Sequence, residues 1–548
     1  MKKFVSFFLV ISLPLGYYTS SQDKIYWDVL RTLETFGEAY KHILFYYVDS
    51  LDASKLISYG INGMLRSLDP YSRFIEYDEE SEIDLLTDES YGGIGVVIDA
   101  RGDELIVIEV MPGYTAQRQG IRVGDVIVAI DDETVTSGNI SRLIKKVRGK
   151  PGTELKLTIR REGEKNLLEF HLVREKIKLV SISQVDFLTE EEGILYVKID
   201  RFSKRVSQEF FEKVREAKKK DSVHKIIIDL RGNPGGVLQS TFDLLDLIFP
   251  RGDTLIKTIG KRNEFNEVYV SKNKPFLGNI PIAILIDENS ASASEIVAAC
   301  VQDLDRGVIV GRKSFGKGMV QIRFDLDYFG TLVLTTSKYY TPSGRTIQKL
   351  NYLEKTKNVV QGEIKDTIPS VFFTRNKRKV ISYDGITPDI IVNQSKHSEI
   401  TRELLKKGMF FKFVNKNFAN SSIKNIESLN KRDVIKNFIN FVEKSDFNYT
   451  PQYKKTLNEL IDNLKESKNF SSELNALIQM QKKIKFNIKD EIQAHLDEIF
   501  ELILKEIAEQ TNNRDLRLKV KKSFDEDLKV ALDILKNEKK YREILGVK

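Results

Sequence analysis

Cysteine is nearly absent from this chain of 548 residues, and the one example, Cys300, excludes any intramolecular disulfide. Its neighbours Val297, Ala298, Ala299 and Val301 are apolar, so the thiol reads as a small buried hydrophobe. Histidine is scarce too. The five are His42, His171, His224, His397 and His495, and none lies in the serine and glycine motifs described below. A Ser-His-Asp hydrolase therefore lacks its base. No His, Cys or carboxylate cluster has metal-ligand spacing, so neither a metal nor another cofactor is implied. Neither sign of charge dominates: 86 basic residues face 79 acidic ones, for a net +7. The lysine runs Lys218-Lys219-Lys220 and Lys482-Lys483 have no interleaved aromatics, so they read as solvated helix faces and imply no nucleic-acid partner.

Glycine and proline almost vanish after residue 399, where only Gly408, Pro451 and Gly546 remain. That change marks a domain boundary near 395 and makes residues 396–548 a helical extension. In it, Leu496, Ile499, Phe500, Ile503 and Ile507 recur at three- and four-residue steps and form one apolar face, suited to packing or to homo-oligomers. At the other end, Lys2-Lys3 precede an apolar stretch, Phe4 to Leu13, too short to span a bilayer comfortably. Residues 1–21 read as a signal peptide or an uncleaved anchor, with no lipobox cysteine, and the remainder is exported. Residues 25–86 read as mainly helical, and Asp69-Pro70 stops the last of these helices.

Two further segments carry chemistry. Ser290-Ala291-Ser292-Ala293-Ser294-Glu295-Ile296 presents hydroxyls where a strand turns into a helix, and Phe315-Gly316-Lys317-Gly318-Met319-Val320-Gln321 places a lysine between glycines. A serine becomes nucleophilic when a base takes its proton, and a neutral lysine can be that base. A free lysine has a pKa of ~10.4, and bringing it near neutrality means destabilising the ammonium by ~4–5 kcal/mol. Burial among Phe315, Met319 and Val320 would act in that direction. Upstream, the apolar run Ile226-Ile227-Ile228 leads through Asp229-Leu230-Arg231 to Gly232-Asn233-Pro234-Gly235-Gly236. Gly235 or Gly236, with Ala293 beside the nucleophile, can supply the two N–H groups of an oxyanion hole.

The run from Ser290 to Gln321, with Gln302-Asp303 and Val310-Gly311 between its ends, resembles the core motif of the C-terminal processing (tail-specific) serine peptidases, and Asp229 to Gly236 resembles their other hallmark. The resemblance covers roughly residues 65–392. It implies Ser292 as nucleophile, Lys317 as general base and Gln321 as the residue orienting the amine. It also carries over Asp303, at the position of an aspartate placed in a charge relay. If 292–303 is one helix, however, eleven residues at 1.5 Å rise put Asp303 ~16 Å from Ser292, which fits a structural or capping role.

In front lies Gly93-Ile94-Gly95-Val96, which resembles the carboxylate-binding loop of PDZ domains, where an added strand of peptide ends in a nest of N–H groups. Met111-Pro112-Gly113 and the strand pattern Val123 to Ile130 follow. Ile140 to Val147 suits the groove helix, with Leu143 and Val147 on one face, and Glu154 to Arg160 alternates as a half-buried strand. The fold implied is multidomain α/β: an N-terminal helical region (25–86), a PDZ domain (88–175) inserted before a crotonase-like Ser-Lys peptidase core (178–395), and the helical extension. The core is completed by strand 331–338 and the segment 385–392.

The function implied is an exported, periplasmic serine endopeptidase, held at the inner membrane if the leader is not cleaved. It would act on protein or peptide substrates with free apolar C-termini, with room for an adaptor lipoprotein. A catalytically dead PDZ scaffold and a ligand carrier on the same fold are the competing classes. Intact Ser292, Lys317 and Gln321 argue against the first, and the PDZ loop and leader argue against the second.

Overall fold

The computed structural model describes residues 21–547 apart from 77–89, 102–103, 112, 137, 162–163, 190, 327–328, 350–369, 383, 394–396, 419–428, 446, 467–469, 485–486 and 511–513. The leader, residues 1–21, thus lies outside the described residues but for its last position. Among the described residues no helix is long and apolar enough to cross a membrane. The described parts of residues 1–78 and 321–335 form one compact unit, and the rest forms a second, larger one.

The larger unit is organised on a six-stranded sheet whose strands lie side by side in chain order. These are β1 (Ile182–Thr189), β2 (Ile194–Ile199), β3 (Lys225–Asp229), β4 (Ile282–Ile286), β5 (Val308–Gly311) and β6 (Ile390–Ile391). β1 runs antiparallel to β2, and every later pairing is parallel. Parallel neighbours need crossovers, and the sequence supplies helices for them: α1 (Val206–Lys220), α2 (Leu238–Leu245) and α3 (Ala293–Asp303).

Along each strand the buried side chains alternate between two separate clusters, as a two-residue period requires. Leu195, Val197, Ile226, Ile228, Ile282, Ile284 and Ile309 pack with Phe210 and Val214 of α1, Phe242 of α2 and Ile296 of α3. Ile194, Tyr196, Ile227, Ala283, Leu285, Val308 and Val310 face the other way. Connections that advance steadily in one direction across a sheet place their helices on one face, because such crossovers are right-handed. The opposite face would then stand open. It is covered by the last two helices of the chain, α4 (Glu526–Lys536) and α5 (Glu538–Ile544), through Leu528, Ala531, Ile534, Leu535 and Tyr541.

The PDZ module of this unit is a five-stranded path running Val96–Arg101, Glu104–Val110, Val126–Ile130, Glu154–Arg160, Leu168–Val173, with Val96–Arg101 at its edge. Its helix Ile140–Val147 turns Ile140, Leu143 and Val147 into the module's own core. The rest of the extension is helical. The apolar face on helix Leu496–Gln510 is used within the chain: Ile499, Ile503 and Ile507 are buried with Phe410, Phe413, Val434 and Phe438.

In the smaller unit, helices Ser21–Tyr46 and Ala53–Leu65 precede strand Arg73–Glu76, which pairs antiparallel with residues 330–333. Asp69 ends the second helix's run-out: its carboxylate accepts the N–H groups of Tyr71 and Ser72, both at 2.8 Å, and the Ser72 hydroxyl at 3.0 Å.

The covering role of α4 gives a direct expectation for stability. Ile534→Ala, at a fully buried position on the extension's side of the sheet, should cost about 2–5 kcal/mol. Chemical denaturation followed at the tryptophan-independent far-UV signal would measure it, and an unchanged midpoint would show that the second face needs no cover.

Candidate active site

The three loops that leave the C-terminal ends of β3, β4 and β5 hold Gly235 and Gly236, Ser292 and Lys317 in turn. This is where open α/β sheets place their sites. The loop after β4 ends at Ser292, which caps α3 with φ 54° and ψ −112°. A non-glycine residue rarely adopts positive φ, and such a conformation persists only when its surroundings fix it.

Those surroundings are specific. The Ser292 N–H donates to Oε2 of Glu295 at 2.9 Å, and the Lys317 N–H donates to the same oxygen at 2.8 Å. Two nitrogens that share one acceptor lie within about 6 Å of each other. Oε1 of Glu295 accepts the Ser314 hydroxyl at 2.6 Å and the Gly316 N–H at 2.7 Å. One buried carboxylate therefore joins the backbone of the serine to that of the lysine. Burial pushes Glu295 up to about 7, even though the bonds from Ser314, Lys317, Gly316 and Ser292 favour its ionised form. The sequence carries a signal for this residue: Ser292 and Glu295 have the Ser-x-x-Glu spacing of a capping box.

Lys317 is half-buried. Tyr339 holds its carbonyl, the hydroxyl donating at 2.6 Å. Met319 is buried and Val320 half-buried, whereas Phe315 leaves 46% of its surface exposed and cannot wall an apolar pocket as anticipated. Gln321 belongs to the smaller unit, where its amide nitrogen donates to Thr335 Oγ1 at 3.1 Å, and that hydroxyl donates to Asp69 at 3.2 Å.

The loop after β3 packs against the serine. A Cβ on Gly235, where φ is +99°, would fall 2.9 Å from both the Ala293 nitrogen and the Ser292 Cβ. Glycine is thus required by conformation and by contact together. The Gly235 N–H is already donated to Asn233 Oδ1 at 2.8 Å, while the Gly236 N–H has no acceptor among the described residues. Of the two glycines, Gly236 is the one left with a free donor, and Ala293 opens α3 with its N–H likewise unpaired among the described residues. Asn233, fully buried, is the second residue whose importance the sequence did not reveal. Its carbonyl accepts the Ala291 N–H and the Ser294 hydroxyl, both at 3.0 Å, and its amide donates to the Ile199 carbonyl at 2.8 Å.

Asp303 closes the other end of α3, a single uninterrupted helix from Ala293. Its carboxylate is wholly buried against Arg345 at 2.7 Å and also accepts Thr341 and Ser343. It ties the helix end to the 341–345 segment and is not assembled with Ser292 or Lys317.

In the PDZ module, Gly93 ends strand Ser90–Gly93, which pairs with Glu175–Lys178. The Ile94 and Gly95 carbonyls accept from Ala116 (3.0 Å) and Met111 (2.8 Å), and Ile94 and Val96 are buried. Leu143 and Val147, expected on one face of the helix, do share a face, and it is the one buried in the module's core. Ile98, on the edge strand Val96–Arg101, and Ile144, on the helix, are among the residues of this cluster that stay partly exposed. Among the described residues no group of His, Cys, Asp or Glu could hold a metal ion.

Comparison with known proteins gives the family. Residues 193–354 match the model of peptidase family S41, residues 106–161 that of the PDZ domain, and residues 400–535 that of a probable PDZ-protease C-terminal helical domain. The carboxy-terminal-processing protease of Bartonella bacilliformis is 32% identical over 324 residues, which is 59% of this chain and 74% of that one. The chain belongs to peptidase family S41. It is a carboxy-terminal processing serine peptidase with a PDZ domain. Carboxy-terminal processing protease CtpB of Bacillus subtilis is 30% identical over 58% of this chain and 66% of its own. Among solved structures, the photosystem II D1 C-terminal processing protease aligns at 23% identity and a TM-score of 0.36, over 65% of this chain and 92% of that one.

The raised pKa of Glu295 has a stability consequence with a definite sign. Above its ordinary value of 4.5 the unfolded chain releases this proton, whereas the folded chain keeps it until about 7. The folded state binds more protons in that window, so stability falls as pH rises from 4.5 to 7. Denaturation midpoints of wild type and Glu295→Gln across that range should diverge in slope, with the decline attributable to Glu295 missing from the variant. Parallel pH curves would refute the assignment.

Proposed function

We propose that this S41 peptidase is exported and captures the C-terminal tail of a protein substrate in its PDZ module. It then cleaves the chain with a Ser292–Lys317 dyad through an acyl-enzyme. The observation that carries this reading is the single Glu295 oxygen to which the backbones of Ser292 and Lys317 are both bonded. Lys317, in its neutral form, takes the Ser292 Oγ proton as that oxygen attacks the scissile carbonyl. The tetrahedral oxyanion forms beside Gly236 and Ala293, whose N–H groups stabilise it. The proton passes from Lys317 to the leaving amine, leaving an ester on Ser292. Water, deprotonated by Lys317, then releases the acyl product.

The free edge of Val96–Arg101 accepts the substrate tail as an added strand, and the Gly93–Val96 loop receives its carboxylate. Ile98 and Ile144 give that site an apolar surface for the terminal side chain. The dipolar N-terminal leader, Lys2-Lys3 followed by Phe4 to Leu13, supports export to a periplasmic location.

The test is cleavage of an unfolded reporter with a free apolar C-terminus. Ser292→Ala and Lys317→Ala should each lower kcat by about 10⁴-fold or more. Amidating the reporter's C-terminus should raise KM with little change in kcat. A Ser292→Ala protein that cleaves at the wild-type rate would sink the dyad, and equal KM for free and amidated tails would sink capture by the PDZ module.

A further inference from the structure

The candidate catalytic residues all precede residue 395, yet the start of α4 reaches the roots of two of the three active-site loops and, through Arg312, joins the third. Arg231, at the head of the oxyanion-loop glycines, donates through Nη1 to Asp525 Oδ1 (2.8 Å) and Asp527 Oδ2 (2.9 Å). Its Nη2 donates to Asp525 Oδ2 at 2.7 Å and to Asp229 Oδ2 at 2.6 Å. Arg312, which opens the loop leading to Lys317, donates through Nη1 to the same Asp527 oxygen at 3.0 Å. Its Nε donates at 3.0 Å to Glu288, in the loop leading to Ser292. Asp287 beside it accepts the Gly232 N–H at 2.9 Å, which links that loop back to the glycines.

These are not surface ion pairs. Asp229 is 2% exposed and Asp527 5%, and Arg231 is 16% exposed. Burial disfavours a charge on Asp229, but the guanidinium of Arg231 outweighs it and holds the carboxyl well below the usual range. Bidentate arginine–carboxylate contacts fix orientation as well as distance. Removing the acids from one side would leave two half-buried guanidinium groups short of partners, free to pull their loops toward other acceptors.

We propose that the C-terminal helical extension is a positioning element of the active site. Asp525 and Asp527 hold Arg231 and Arg312, and thereby set the oxyanion loop and the Lys317 loop in register with Ser292. The role assigned to the Lys317 loop rests on the dyad reading given above. A displacement of about 1 Å in such loops is enough to cost roughly 100-fold in rate.

The experiment uses the full chain carrying Asp525→Asn and Asp527→Asn together, which preserves shape and removes charge. Steady-state cleavage of the tail reporter, affinity for a peptide boronate that mimics the tetrahedral intermediate, and Tm are measured. The proposal expects kcat and boronate affinity to fall together by about 10- to 100-fold, with KM within about twofold of wild type. Ile534→Ala, which loosens the same helix away from the clamp, should lower Tm while retaining kcat. A double variant with wild-type kcat and boronate affinity, whatever its Tm, would overturn the proposal. If the double variant does not fold, Asp525→Asn alone is decisive, because Asp527 still joins both arginines and a smaller parallel loss in kcat and boronate affinity is then required. Failure of the dyad reading shows separately, as cleavage surviving in Ser292→Ala.

Discussion

Burying both faces of the central sheet is the constraint on which the other features depend. Its parallel strands advance in chain order, so their connecting helices collect on one face, and Ile194, Tyr196, Ile227, Ala283, Leu285 and Val310 are left on the other. Parallel sheets occur almost only with both faces covered. In this chain the cover comes from its last helices, about 300 residues away from β3. The extension that reads in sequence as a separate helical piece is therefore, at its end, a layer of the peptidase.

Once the sheet is closed in this way, the site follows at one end of it. Three neighbouring parallel strands deliver three loops to the same edge, carrying the paired glycines, the serine and the lysine. A set of largely buried polar residues joins these loops to one another. Glu295 bonds to the serine and lysine backbones, Asn233 bonds to the glycine and serine loops, and Arg231 bonds to Asp229 and to the extension. Buried polar groups of this kind are costly unless fully bonded, and when fully bonded they specify one arrangement. Glu295 shows the balance: it accepts four hydrogen bonds and still has its pKa pushed up to about 7 by burial. The positive φ of Ser292 belongs to the same account, because the bond from its N–H to Glu295 holds the serine in a conformation it would not choose alone.

Much of this was legible in the residues. The serine and lysine motifs, the Gly-Gly turn after an isoleucine run and the strand 154–160 are local patterns, and the structure places them as strand ends, turns and a strand. The uninterrupted helix from Ala293 to Asp303 also follows from local composition, and with it the separation of Asp303 from the serine. Detail failed where neighbours in space had to be known. Phe315 is exposed, and the face shared by Leu143 and Val147 meets the module's core, because helical spacing gives a face but not what that face meets.

The sequence by itself determined the chemistry on offer: a serine and a lysine without a histidine, two glycines able to bare their N–H groups, and a second glycine loop before a strand. Those depend on residue types a few positions apart, so they are written locally. Only the tertiary structure decided which groups hold the others in place. Asp303 found Arg345 in place of the serine, Gly235 gave its N–H to Asn233 while that of Gly236 meets no acceptor among the described residues, and Asp525 and Asp527 found Arg231 nearly 300 residues upstream. Such pairings are chosen by which strands lie side by side and which helix covers them, and no local pattern encodes that choice.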